Sequence, residues 1–471
     1  MTSGAAATTV ATEGTDRERG LAALARFGAD AVSFQSLESG LRWWHDDPAP
    51  AGTGAALAYL DTSRSWIGVG RPLAPDADVA AAARRFAGAA RARHRRAVFF
   101  GVEALDGFDG FRRLALGVQS ILLPDRWPAT LAASRKLREQ LRRARAKGVT
   151  VRIASADDVA PGTPLRRDIE RLAAEWLASR PMEPMGFLVA VEPFHAAARH
   201  LYVVAERRGQ VVQCLSAVPA FASHGWLFED MLRGREAPNG TTELVLDCAL
   251  RTIAGDAAWA TPGLTPLAGP VAWWLRAMRA VTTPLYDFDG LRRFRARLSP
   301  ARWIPIWMVW DRGPAWLVLI DVLGAFAHGR LVTFALRSLL RHPNGPPWIV
   351  ALPLVLWTGL LAGLVVDRRA AILGFPAVTL AAWVLFDVAL AWLLFQAARR
   401  PTPRRLGLLA LAAAADAVLS VHHLAIAGLG PDAWSAVLRL AATAGPILGT
   451  AALAWSTHLS RRRHPHVTRR G

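Results

Sequence analysis

Leu201–Pro219, LYVVAERRGQVVQCLSAVP, decides how the first two thirds of this chain must fold. Two apolar runs rich in valine and leucine flank the polar turn Glu206–Gln210, which is the pattern of two strands joined by a tight reversal. The same pattern occurs earlier, in Ala56–Arg71, ALAYLDTSRSWIGVGR, with its turn at Asp61–Ser65. A helical pattern follows each: Val79–His94 after the first and Glu243–Ala254 after the second. The expected architecture is therefore mixed α/β (α+β), two copies of one unit in tandem. A helix, Ser134–Gly148, joins them, with Ser134 as its cap and Gly148 as its stop.

Beyond about Trp310 the physics changes. Trp348–Val366, Ile372–Gln396, Leu406–Leu429 and Ala433–Leu459 are each apolar and long enough to cross roughly 30 Å of hydrocarbon. An all-α transmembrane bundle is expected there. Ala315–Leu340 is apolar but interrupted by Asp321, His328, Arg330 and Arg337, and reads as a helix lying in the interface, with a fifth span as the alternative. Arg399, Arg400, Arg404 and Arg405 lie between the second and third spans, and Arg461, Arg462, Arg463, Arg469 and Arg470 follow the fourth. The positive-inside rule places both clusters, and with them the N-terminal half, in the cytoplasm; Arg368 and Arg369 in an outer loop run against it. Asp387 and Asp416 fall near the middles of their spans, with His422 and His423 further along the third, and such groups face a bundle interior or a pathway. The expected divisions are a disordered N-terminus at 1–19, units at 20–133 and 149–310 with the basic helix at 134–148 between them, an interfacial helix at 311–345, the membrane region at 346–460 and a basic tail at 461–471.

The net charge is +19, and nearly all of the positive charge is arginine, since the only lysines are Lys136 and Lys147. Arginine stays charged and grips phosphate bidentately, so anionic partners are expected, either lipid headgroups or RNA; positive-inside bias and a high arginine usage supply the other account of the excess. Cys214 and Cys248 form neither a disulfide framework nor a metal-ligand set. His195 and His224 stand isolated and read as surface histidines, so no metal is expected. The N-terminal twenty residues have no apolar core and do not read as a signal peptide.

Trp226–Asp247, WLFEDMLRGREAPNGTTELVLD, concentrates the polar chemistry: Glu229 beside Asp230, Arg233, the Asn239-Gly240 turn and Glu243. If it begins as a strand, Glu229 and Asp230 point to opposite faces and only one can serve a site. Thr241 is the expected cap of the helix that follows, and Glu243 either complements that helix's dipole or lines a pocket. On Ser134–Gly148, SRKLREQLRRARAKG, Leu137, Leu141 and Ala144 share one face, while Arg135, Arg138, Arg142 and Arg145 form another stripe, which either is a solvated face or holds phosphates.

These segments, together with Pro181–Leu188 (PMEPMGFL), Thr261–Leu267 (TPGLTPL) and Leu285–Pro300 (LYDFDGLRRFRARLSP), resemble the catalytic domain of the phosphatidylglycerol lysyltransferases, the aminoacyl-phosphatidylglycerol synthases of bacteria. The resemblance covers about Gly20–Trp307. It implies tandem acyltransferase units of the GNAT type, as in the related Fem-type aminoacyl transferases. The glycine-rich acetyl-CoA signature of ordinary GNAT enzymes is not evident. It also implies a transesterification: an amino acid moves from aminoacyl-tRNA, the co-substrate, to a glycerol hydroxyl of phosphatidylglycerol, with no further cofactor. By the same resemblance Asp230 and Arg233, with Glu229, are catalytic. Asn239, Gly240, Glu243, Gly263, Tyr286, Asp287, Arg295 and Arg297 border the substrate pocket, and Arg135, Arg138, Arg142 and Arg145 meet tRNA or lipid phosphate. The family carries lysine in the stretch matching Arg295–Arg297, where this chain has arginine at both basic positions. Its large membrane domain, linked to lipid flipping, precedes the catalytic domain, whereas here the apolar spans follow it.

The expected protein is a multi-pass bacterial inner-membrane aminoacyltransferase, lysine or alanine being the transferred group, with catalytic domain and C-terminus cytoplasmic. The alternatives are an acyltransferase with another donor or acceptor, and a non-catalytic binder of anionic lipid or RNA.

Overall fold

The computed structural model describes residues 3–46, 54–180, 182–282, 287–341, 345–366, 373, 376–399 and 402–463. It divides into two compact units, one holding most of the chain up to Leu331 and one holding Val332 onward with two short earlier segments. The tandem α/β body lies in the first.

Both strand–turn–strand expectations are met. β2 (Ala56–Asp61) pairs antiparallel with β3 (Ser65–Val69), and β7 (Leu201–Arg207) with β8 (Gln210–Ala220). Arg208 and Gly209 both take positive φ between β7 and β8, the geometry a two-residue reversal requires. The second sheet has the order β10-β9-β8-β7-β6, with β6 (Val149–Ala154), β9 (Gly225–Arg233) and β10 (Trp259–Thr261). Its strands are antiparallel except β9 and β10, which run parallel. The first sheet repeats the theme: β1 (Arg42–His45), β2 and β3 are antiparallel, and β3 runs parallel to β4 (Arg96–Val102). These are the two copies of the expected α/β unit.

They do not separate at the linker. β12 (Arg302–Trp310) inserts between β4 and β5 (Arg112–Ile121), and β11 (Leu264–Pro266) adds beyond β5, so the first sheet is finished by strands from the far end of the second unit. A boundary at 148/149 therefore does not divide the sheets. Nothing in RWIPIWMVW distinguishes the two possible sheets, because its apolar residues run on without alternation.

The linker helix forms as α4 (Arg135–Ala146), where Ser134 Oγ accepts the Leu137 amide at 3.3 Å. Leu137, Leu141 and Ala144 are buried against α6 (Thr241–Ile253) and the second sheet. The cap of α6 is Gly240, not Thr241: Thr241 is already helical and its hydroxyl donates to the Pro238 carbonyl at 2.8 Å. Gly240 has φ +94°, and a Cβ there would sit 2.1 Å from the Gln140 carbonyl oxygen of α4. Gly240→Ala must open the α4–α6 contact as well as hold a left-handed alanine. We expect it to destabilise the chain by more than the ~1–2 kcal/mol of the backbone conformation alone, read as a fall of several degrees in the melting temperature.

Of the stretch 1–19 expected to lack structure, residues 3–19 lie in α1 (Ser3–Phe27), which continues past it to Ala23 and Leu24, buried beside Leu21 and Phe27. The interfacial segment is two helices, α9 (Ala315–Phe326) and α10 (Leu331–Arg341), broken where His328 and Gly329 take positive φ. α9 packs Val318, Val322 and Ala325 on the first sheet, and its Asp321 accepts from Ser65 Oγ at 2.6 Å and pairs with Arg96 at 3.2 Å. Its opposite face leaves Trp316, Ile320 and Leu323 exposed.

The second unit is helical: α11 (Gly345–Val366), α12 (Ala377–Arg399), α13 (Pro403–Ala427) and α14 (Ala433–Arg463). Among the described residues three helices are long and apolar enough to span a membrane, Val378–Ala398, Arg404–Ala427 and Ala433–His458. The start expected at Ile372 lies outside the described residues; α12 begins just after Pro376. Asp387 and Asp416 are buried inside this bundle and line one cavity with Ser420, His423 and Arg439.

Candidate active site

β9 carries the acidic pair, and its pairing with β8 decides where the pair points. Ser216 lies opposite Asp230 and Ala217 opposite Phe228, so Glu229 is the extra residue of a β-bulge. The strict alternation expected for the pair is broken at that residue, and both carboxylates join one cluster. Glu38, just past the 3-10 turn Ala31–Leu37, and Glu192 complete it: both act electrostatically on Glu229, and Glu192 acts on Asp230. Ser39 Oγ donates to Glu192 Oε1 at 2.7 Å. Gln35 Nε2 donates to the Leu188 carbonyl at 2.6 Å, tying the turn to the loop of Pro181–Leu188. Phe187 and Leu188 of that loop are buried, Phe187 packing on Phe100 at 6.0 Å between ring centroids.

The cluster is short of positive charge. Both Glu229 carboxylate oxygens and Asp230 Oδ2 are buried and accept no hydrogen bond of good geometry among the described residues, although Gln35 lies near enough to temper the charge on Glu229. Burial, reinforced by the charges of Glu192 and Asp230, lifts Glu38 to about 8. Burial, with Glu192 beside it, lifts Asp230 to about 7, and burial with Asp230 and Glu38 lifts Glu229 well above the carboxylate range. Glu38, Glu229 and Asp230, so placed, hold protons or accept a cation.

Two histidines complete the wall. His195 and His200 lie 5.0 Å apart between ring centroids, and Phe34 packs against both. They are half-buried rather than surface groups, and burial pushes His195 down and His200 to about 3, so both are neutral imidazoles. Glu38, Glu192 and His200 were not singled out in the sequence, because they come from separate loops that only the fold brings to β9.

The remaining sequence candidates fall into other neighbourhoods. Arg233 is exposed at the end of β9, and its Nη2 donates to the Ala237 carbonyl at 2.8 Å. With Asn239 and Gly240 it forms the turn facing α4. Glu243 is in the first turn of α6, where a carboxylate complements the helix dipole. Arg135, Arg138, Arg142 and Arg145 are exposed along α4; Arg142 pairs with Glu139 at 2.9 Å and Arg145 reaches Asp247 at 3.5 Å. The Arg142–Glu139 pair is largely exposed and holds its guanidinium only weakly, whereas Asp247 beneath Arg145 is buried.

Arg295 is buried. Its guanidinium donates to the Gly263 carbonyl at 2.8 Å, to Thr265 Oγ1 at 2.7 Å and to the Pro262 carbonyl, pinning the segment that crosses from β10 to β11. Gly263 has φ +82° within that crossing. Arg297 is exposed and lies over the Phe294 ring at 5.9 Å. Asp287 is exposed and caps α8 (Phe288–Arg297), accepting the Gly290 amide at 2.7 Å. Tyr286 lies outside the described residues.

At the other end of the Ala31–Leu37 turn sits a second acid pair, Asp30 and Glu103. Glu103 Oε1 accepts the Ala31 amide at 2.7 Å and Gln119 Nε2 at 3.1 Å, while Arg71 pairs with Asp30 at 3.8 Å. Burial, then the charge of Asp30, raises Glu103 from 4.5 to about 7, with Arg71 opposing. A carboxyl raised on folding contributes stability that is full below its unfolded value and lost as pH rises through the folded one. Between about pH 4.5 and pH 7 we expect the wild type to lose roughly 2–3 kcal/mol relative to Glu103→Gln, measured by unfolding the detergent-purified chains across that range.

A profile of the family described as "Phosphatidylglycerol lysyltransferase, C-terminal" matches residues 30–310. The chain belongs to that family. A bifunctional lysylphosphatidylglycerol biosynthesis protein LysX from Mycolicibacterium vanbaalenii is 30% identical over 268 residues, which are 54% of this chain and 24% of that protein. LysX from Mycobacterium ulcerans is 27% identical over 271 residues. The chain thus spans about a quarter of the length of these relatives. The C-terminal domain of a putative lysylphosphatidylglycerol synthetase from Agrobacterium fabrum superposes with a TM-score of 0.56 at 20% identity, covering 67% of this chain and 98% of that domain. L-PGS from Bacillus licheniformis superposes with a TM-score of 0.56 at 19% identity, covering 66% and 96%. These likenesses assign the fold of residues in the first unit.

Proposed function

We propose that the chain is a membrane-bound aminoacyltransferase that moves an amino acid from aminoacyl-tRNA to a glycerol hydroxyl of phosphatidylglycerol. The observation that carries this reading is the buried acidic cluster on the bulged strand β9, inside the segment the family profile matches. An aminoacyl ester brings an α-ammonium, and Glu38, Glu192 and Glu229 offer it compensating charge. Asp230 takes the proton of the attacking hydroxyl. The hydroxyl oxygen forms the new ester bond to the aminoacyl carbonyl carbon, the bond to the tRNA ribose oxygen breaks, and the proton passes to that departing oxygen. Arg233 and the stripe Arg135, Arg138, Arg142 and Arg145 supply phosphate contacts for lipid and tRNA. Asn239 and Gly240 shape the turn beside them, Glu243, Gly263, Tyr286, Asp287 and Arg297 border the substrates, and Arg295 holds the pocket edge at Gly263.

The apolar helices of the second unit anchor this domain in the bacterial inner membrane as a multi-pass protein, with the catalytic domain and C-terminus in the cytoplasm. The exposed apolar face of α9 suits the same surface. The test is mass spectrometry of lipids from a bacterial host without aminoacylated lipids, with and without this chain. A new aminoacyl-phosphatidylglycerol is expected, and its mass names the amino acid. Its absence, with the protein folded in the membrane and charged tRNAs present, overturns the reading.

A further inference from the structure

His195, His200 and Glu229 each offer a ligand atom, and these atoms all lie within 4.8 Å of one another. We propose that this trio is a binding site for one divalent transition-metal ion of the zinc class, in the wall of the acidic cluster.

Three observations carry the assignment. The first is that each imidazole is already oriented through its other nitrogen. His195 Nδ1 lies 2.7 Å from the Glu192 carbonyl, which can only accept, so Nδ1 carries the proton and Nε2 presents a lone pair. His200 Nδ1 lies 3.0 Å from Ser216 Oγ. A hydrogen bond at the far nitrogen is the support that metal-binding histidines characteristically have.

The second is that the atoms facing inward make no well-formed hydrogen bond among the described residues, although Gln35 lies near Glu229 and the His195 backbone near His200. His195 Nε2, His200 Nε2 and both oxygens of Glu229 are buried and make no hydrogen bond of good geometry among the described residues. Buried acceptors left facing one another are costly unless something positive lies between them. The third is the donor set. Two imidazoles and one carboxylate suit zinc and its first-row neighbours, whereas calcium and magnesium take oxygen ligands. Three protein ligands leave a further position open to solvent or substrate. Zinc bonds to nitrogen and oxygen run about 2.0–2.2 Å, so the side chains close by about an ångström on loading.

The framework is rigid enough to hold such a site. Glu229 is fixed by the bulge on β9, His200 stacks on Tyr202 at 5.4 Å, and Tyr202 Oη donates to the Pro193 carbonyl at 2.6 Å. Phe34 closes the apolar side against both imidazoles. The proposal does not depend on aminoacyl transfer, since its test counts metal and not product.

The test uses the full chain, purified in detergent, stripped with a chelator and titrated with Zn2+ by equilibrium dialysis with elemental analysis. One Zn2+ per chain is expected, and Co2+ in its place should give the visible absorption of a low-symmetry nitrogen and oxygen site. The paired change His195→Asn with His200→Asn should weaken binding by more than about 100-fold. Ser216→Ala, which leaves all three ligands and removes only the partner of His200, should weaken it by roughly 10-fold. Glu229→Gln should weaken it while keeping the side-chain volume. Circular dichroism at each variant's working temperature establishes folding, and Ser216→Ala keeps the test decisive where the double variant unfolds. Equal Zn2+ binding by wild type and the folded histidine variant would place the metal on Cys214, Cys248 or the surface and overturn the proposal. So would no binding at all by the wild type.

Discussion

Asp230→Asn is expected to cripple aminoacyl-lipid formation, lowering the rate by about 10²–10⁴-fold while leaving the chain folded. Asparagine has nearly the volume of aspartate and cannot take a proton from the attacking hydroxyl; general-base catalysis of this kind contributes about 10²–10⁴-fold. Relief of charge works the other way for stability. Asp230 is buried beside Glu192 with Oδ2 unbonded, so removing its charge should leave the melting temperature unchanged or slightly raised. The measurement is lipid product by mass spectrometry alongside a thermal melt of the same preparation. Product at the wild-type level from the asparagine variant would remove Asp230 from the chemistry.

The second large effect concerns Arg295. Lysine in the matching stretch of the family suggests that Arg295→Lys is a return to type, and the structure argues otherwise. The guanidinium serves Gly263, Thr265 and Pro262 at once, from a buried position. A lysine ammonium is a compact point charge and does not present a planar fork to three acceptors. At least one buried acceptor would lose its partner, and the cost is about 2–4 kcal/mol, with a lower melting temperature and, through the loosened crossing at Gly263, weaker substrate binding. Arg297→Lys, at an exposed position over Phe294, should change stability by less than about 0.5 kcal/mol. Equal melting temperatures for the two variants would show that Arg295 is not the staple of that loop.

What could be read from sequence followed a simple physical division. Periodic patterns with local punctuation were legible: β7 and β8 around Arg208-Gly209, α4 between Ser134 and Gly148, and the apolar helices from Ala377 onward. Each is set by contacts within a few residues or by bulk hydropathy. The acidic pair was legible as chemistry but not as geometry, since the bulge at Glu229 depends on register with β8. The histidines were not legible. His195 and His200 sit in a loop of no regular period, and their relation to Glu229 exists only after three separate segments pack. Arg295 was read as a substrate contact because a buried arginine and an exposed one look the same in sequence.

The insertion of β12 between β4 and β5 has a consequence for how the molecule comes into being. Val98 of the first unit finds its partner at Trp310, so the first sheet stays open until almost the whole α/β body has been synthesised. Contacts of that sequence separation raise contact order, and chains dominated by such pairings fold slowly. Neither half is an autonomous folding unit: a fragment ending at the linker helix would expose the edges of β4 and β5 and invite aggregation. The two copies, alike in pattern, depend on each other for their folding, and the strand that completes the first sheet is among the last of the α/β body to be made.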